Sequence, residues 1–188
     1  MLEVLVAILI LSIGLLGIAG LLGASLRYAQ GGWSRAAVSS SLSDIADRVR
    51  SNPGATTTAY LLNSNYATQR SDVATGLPAP SPDCSAATCT AAQLAAYDLL
   101  AWRVALDANL PGAAGYITGS RDTGYQATIV WADKSNLKDD NSALRDTSTC
   151  PAAAADFFAL PTIAQRTCCP AGVSAPAGAR CTNLTIVP

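Results

Sequence analysis

The hydrophobic pattern divides the chain near residue 26. Residues 4–26 form an uninterrupted uncharged run, dominated by Leu, Ile, Val, Ala and Gly. As a helix it would be about 34 Å long at 1.5 Å per residue. That suffices to cross a hydrocarbon core of about 30 Å. Beyond Arg27 the pattern turns amphipathic: Leu26, Trp33, Ala37, Ser41, Ile45 and Val49 recur at four- or seven-residue steps, predicting a helix with one face on a packed domain. Asp44/Arg48 and Asp47/Arg50 place acid before base on its exposed face, as helix support. Gly31-Gly32 is a weak point where the helix can bend, and Asn52-Pro53-Gly54 stops it. The prediction is one helix of about fifty residues, half in lipid and half outside.

Residues 55–83 are polar and turn-rich and read as a surface loop with room for one short helix or strand. Thr90-Ala-Ala-Gln93 has capping-box spacing and opens a second helix, with Leu94, Tyr97, Ala101 and Val104 as its apolar face and Leu110-Pro111-Gly112 as its end. Strands are predicted at 115–118, 125–131 and 183–187. In the second, Tyr125, Ala127, Ile129 and Trp131 alternate with Gln126, Thr128 and Val130, the pattern of a half-buried strand. Residues 133–180 read as loops. The expected fold class is α+β: a long amino-terminal helix against a small antiparallel sheet, with disulfide-tied loops. The domain plan is 1–26 in the membrane, 27–52 as the outer half of the helix, and 53–188 as a globular head.

The run is not a secretory signal by pattern. No basic residue precedes Arg27, and the apolar stretch exceeds the 7–15 residues of such signals. It reads as a retained helix. Gly14, Gly17, Gly20 and Gly23 recur every third residue; they either permit close helix approach in lipid or reflect the general abundance of glycine in membrane helices.

Charge adds one sharp feature. Of thirteen acids, Glu3 is the sole glutamate, at the mouth of the uncharged run. A carboxylate at the edge of a lipid span is costly unless a cation neutralises it, so Glu3 predicts a helix that meets a positive partner. The net charge of −1, with twelve basic residues spread along the chain, leaves no nucleic-acid footprint. Trp33, Trp102 and Trp131 read as core residues.

Six cysteines, Cys84, Cys89, Cys150, Cys168, Cys169 and Cys181, all follow the run. An even set outside the membrane part indicates disulfides in an oxidising compartment. Cys84 and Cys89 are spaced to close a small loop. Cys168 and Cys169 are adjacent, so a strained bond between them is disfavoured and each pairs elsewhere. Fifteen full pairings are open. Zinc would need two close ligand pairs, and only Cys84/Cys89 fits. Histidine is absent, and no Gly-x-Ser-x-Gly elbow occurs, so an enzyme is disfavoured, and no catalytic residue, cofactor or metal is expected. Asp133, Asp139 and Asp140 lack the spacing of an EF-hand and read as a solvated turn. Asn183-Leu-Thr185 matches a glycosylation triplet, a frequent chance match.

Residues 1–20, with Glu3-Val-Leu-Val-Ala7 and Gly14-Leu-Leu-Gly17, resemble the amino-terminal helix of type IV pilins, most of all minor pilins of the PilV type. Weaker echoes follow in Leu94-Ala-Ala-Tyr-Asp98 with Trp102, in Leu110-Pro-Gly112, and in the strand ending at Trp131. The resemblance implies a precursor cut by a prepilin peptidase and then amino-methylated. It also implies single-pass insertion in the inner membrane with a periplasmic head, followed by entry into a surface pilus. Glu3 matches the family glutamate that neutralises the terminal amine of a neighbouring subunit. The implied partners are other minor pilins, the major pilin and a large tip adhesin. The family keeps four residues ahead of its glutamate where two stand here, and the Gly-Phe junction is missing; the expectation is that Met1 is not the mature terminus. The helix-breaking proline of many major pilins is also missing, which suits a minor component. A minor pseudopilin of a type II secretion system and a tethered binding domain that never polymerises are the other readings of the same residues.

Overall fold

In a computed structural model, residues 2–110, 112–133, 147–151 and 159–188 are described. The chain forms two compact units, Met1–Arg35 and Ala36–Pro188. Helix α1 (Leu2–Ser51) supplies the first and opens the second. It remains helical through Gly31 and Gly32 and ends where Asn52-Pro53-Gly54 requires.

In the second unit α1 buries Val38, Leu42, Ile45, Ala46 and Val49. These fall at steps of four, three, one and three, which is one face of a 3.6-residue helix. The predicted stripe is corrected by about one position at its start. Leu26 and Trp33 are exposed, and Val38 and Leu42 replace Ala37 and Ser41 as the buried contacts. Ser41 still serves the core, because its carbonyl accepts from Trp102 Nε1 at 2.8 Å.

The turn-rich stretch contains helix α2 (Tyr66–Thr75), capped by the Asn65 side chain accepting from the Thr68 amide at 2.9 Å. Helix α3 (Ala91–Asn109) starts at the predicted capping box: Thr90 and Gln93 each serve the other's backbone amide. Its buried face is Ala95, Asp98, Trp102 and Leu106. That is one position round from the predicted face, and Val104 is exposed. Helix α3 ends at Leu110, Pro111 lying outside the described residues, and Gly112 takes φ +85.

Strands β1 (Ala114–Ser120), β2 (Gly124–Ala132) and β3 (Ala179–Ile186) form an antiparallel sheet in that order. Gly119 and Gly124 flank the β1–β2 turn at φ +96 and +89, a region costly for any residue with a Cβ. The alternation in β2 is real on one side only. Tyr125, Ala127, Ile129 and Trp131 pack with α1 and α3, but Thr128 and Val130 are also buried. A second cluster of Tyr116, Val130, Cys169, Val173, Ala179 and Cys181 covers that other face.

The covering segment carries a short helix α4 (Thr162–Thr167) and a 3₁₀ turn at Ala171–Val173. Three disulfides tie the loops: Cys84–Cys89, Cys150–Cys168 and Cys169–Cys181. The fold is thus the pilin-like α+β arrangement, a long amino-terminal helix packed on a three-stranded antiparallel sheet with disulfide-tied loops.

Candidate functional site

The first unit is a single helix whose surface is almost wholly aliphatic. From Val4 to Leu26 every residue is exposed, and the large side chains are between 48% and 74% open. That much contiguous apolar surface is unstable in water and marks a lipid or protein contact. By length and composition α1 can cross a membrane.

Glu3 lies in the first turn, where the positive end of the helix dipole favours a carboxylate. It is exposed, and no charged side chain follows until Arg27.

The four glycines Gly14, Gly17, Gly20 and Gly23 have open space where a Cβ would stand. Nothing within this chain requires their small size. Steps of three residues move the stripe back by about 60° each, so the four positions spread over about half the circumference. They form a smooth flank rather than a narrow seam. This region offers a surface suited to association.

At the other end of α1 lies a polar cluster that the sequence did not reveal. Arg48 is only partly exposed and makes two contacts: its Nε pairs with Asp44 at 3.0 Å, and its Nη1 with Asp98 on α3 at 3.1 Å. The Tyr60 hydroxyl donates to Asp98 at 2.7 Å and accepts from Asn52 Nδ2 at 3.1 Å. That same amide donates to the Ala91 carbonyl at 2.8 Å. From the β1–β2 turn, Arg121 Nη2 donates to Asn52 O at 2.7 Å and Val49 O at 3.4 Å, satisfying carbonyls that the helix end leaves open.

Burial opposes the charge of Arg48, but its bonds to Asp44 and Asp98 outweigh this and raise its pKa. Burial, reinforced by the bond to Asp98, pushes the Tyr60 hydroxyl well above the usual phenol range. The Asp44/Arg48 pair is therefore more than exposed helix support. Asp47/Arg50, at 3.7 Å and largely exposed, does fit that description. The one available signal was Asp98 itself, a charge in register with Ala95, Trp102 and Leu106.

The other sequence candidates fall apart spatially or lie elsewhere. Cys168 joins Cys150 and Cys169 joins Cys181. Asp133 forms an ion pair with Arg180 at 2.6 Å, while Asp139 and Asp140 lie outside the described residues. Among the described residues no cluster of three or more His, Cys, Asp or Glu is placed to hold a metal. Asn183 has a structural role: its Nδ2 donates to Gln165 O at 2.7 Å and Cys168 O at 2.9 Å, and its Oδ1 accepts from Thr128 at 2.7 Å. An amide so engaged is a poor glycosylation acceptor. Trp102 and Trp131 are core residues as expected; Trp33 is not.

No curated protein and no solved structure matches the chain significantly. Residues 26–100, less than half of the chain, match the family model described as Tt1218-like, type IV pilin Tt1218. The match begins at the last apolar residue of the run and covers the outer half of α1, all of α2 and the first half of α3. Over those residues the chain is similar to the Tt1218-like type IV pilins.

Proposed function

We propose that this protein is a minor pilin of the PilV type, which joins other minor pilins to prime pilus assembly at the tip. In this reading residues 1–26 insert in the inner membrane and later enter a helix bundle. Residues 27–52 carry the head, residues 53–188, which stands in the periplasm before assembly. A prepilin peptidase matures the precursor, and the major pilin and a large tip adhesin are further partners.

The observation that carries the proposal is Glu3, the only charge in α1 before Arg27, standing on a helix with an entirely exposed apolar surface. A lone carboxylate there gains most by meeting a cation inside a bundle, where the low dielectric strengthens the pair. The outer part of α1 lies within the segment that matches the pilin family, which supports the same reading.

The test is deletion of the gene, with sheared surface pili counted and secreted protein measured in parallel. Loss of pili with normal secretion, restored by the wild-type gene, is the expected result. Loss of secretion with pili intact would assign the protein to a type II secretion system as a pseudopilin. No change in either would leave a dispensable subunit or a tethered binding domain, and the priming role would fall.

A further inference from the structure

Helix α2 is attached to the rest of the head differently from every other long element. Of its ten residues only Gln69 is buried, and the Gln69 amide turns back to its own segment, donating to Ser64 O at 2.8 Å. The larger core cluster contains no α2 residue. Tyr66 alone packs on the smaller cluster, and is partly buried.

The contacts that hold α2 down are polar. Arg70 Nη1 reaches Asp107 at 2.6 Å and the Ala113 carbonyl at 3.1 Å. Arg103 Nη2 reaches Asp72 at 3.0 Å. The Tyr66 hydroxyl donates to Gly112 O at 2.8 Å. Each helix thus supplies one cation and one anion: Arg70 and Asp72 from α2, Arg103 and Asp107 from α3. Arg103 and Asp107 are four apart and so share one face of α3.

A helix this short is marginal on its own in water, so its order depends on these contacts. Partly exposed ion pairs weaken as salt screens them, whereas apolar burial does not. From this difference we infer that α2 is a charge-latched strap, able to leave α3 and the start of β1 while the core stays folded. Release would free Arg103 and Asp107 and uncover the main chain at Gly112 and Ala113 for a neighbouring molecule. The core clusters lose only Tyr66 at their margin, and the disulfides are untouched. The inference is independent of the priming role proposed above.

Hydrogen–deuterium exchange on the full chain in non-ionic detergent micelles tests it. Peptides covering Tyr66–Thr75 should exchange about fivefold faster in roughly 1 M than in roughly 50 mM sodium chloride. Peptides over α3 around Trp102 and over β2 should not respond. Asp72→Asn with Asp107→Asn should give the fast rate at low salt and abolish the salt response. The swapped pair Asp72→Arg with Arg103→Asp should restore both slow exchange and salt dependence. Salt-independent exchange of α2 in the wild-type chain would overturn the latch. So would core peptides accelerating in parallel with α2, because the whole head would then be loosening.

Discussion

The Tyr60 hydroxyl donates to the Asp98 carboxylate across 2.7 Å, joining the loop after α1 to the buried face of α3. Tyr60 is fully buried, and burial followed by the bond to Asp98 raises its pKa above the ordinary value of 10. The unfolded chain therefore loses this proton first as the pH climbs past 10, and folding stability falls from there upward. Below that pH the contribution is intact. Tyr60→Phe should cost about 2 kcal/mol at neutral pH, the range for a hydrogen bond to a charged group. It should also flatten the alkaline decline. Tyr125, raised mainly by burial, adds a residual decline of the same sign. Urea unfolding midpoints of both proteins between neutral pH and the alkaline limit would decide it; equal slopes would exclude Tyr60 as the source.

Trp102 joins α3 to both its neighbours. It is fully buried, bonded through Nε1 to Ser41 O, and a Cβ added at Gly115 on β1 would fall into its ring. Trp102→Ala should cost about 3–5 kcal/mol, as deletion of a large buried aromatic does. Gly115→Ala should cost about 1–3 kcal/mol through overpacking. In combination the two costs should be less than additive, because the methyl group enters the space the ring vacates. Full additivity in chemical denaturation would show that the glycine is needed for some other reason.

How much of this was readable follows from where the forces act. The end of α1, the capping box of α3 and the core-facing side of β2 depend on neighbouring residues, and these were readable; the burial of Thr128 and Val130 on its other side was not. Helix α2 was foreseen only as one short helix or strand somewhere in residues 55–83, since a helix with only Gln69 buried has no apolar period to place it. On α1 and α3 the buried stripe was displaced by about one position, because bulky residues such as Trp33 and Tyr97 drew the predicted face toward themselves. The burial of Asp98 depends on Arg48 and Tyr60, which lie 50 and 38 residues away along the chain. Glu3 stood out because it is a single carboxylate beside an uncharged run, but the cation proposed for it would come from another molecule.

The disulfides should differ in value. Cys150–Cys168 spans a separation of 18 residues, whereas Cys84–Cys89 spans 5. In the loop-entropy model their removal costs about 3 and about 2 kcal/mol respectively. The pair Cys150→Ser/Cys168→Ser also loosens the segment that covers the outer face of β2 at Val130 and Thr128, so its measured cost should exceed the entropic figure. Paired serine variants compared by chemical denaturation under oxidising conditions test this order. A larger loss from Cys84→Ser/Cys89→Ser would reverse it.

Glu3 gives the prediction closest to function. In the isolated chain its carboxylate is exposed at the start of α1, so replacing it should leave folding of the head and insertion of the helix unchanged. Inside a helix bundle the same carboxylate would face a desolvated cation, and removal of one partner from such a pair costs about 3–5 kcal/mol. Glu3→Ala should therefore reach the membrane at wild-type levels and be missing from sheared pili, a loss of more than a hundredfold in incorporation by that energy. Glu3→Asp keeps the charge on a shorter arm and should recover part of the incorporation, while Glu3→Gln should not. Fractionation followed by immunoblotting of membranes and pili separates insertion from assembly. Incorporation of Glu3→Ala at the wild-type level would exclude the charge-pairing role.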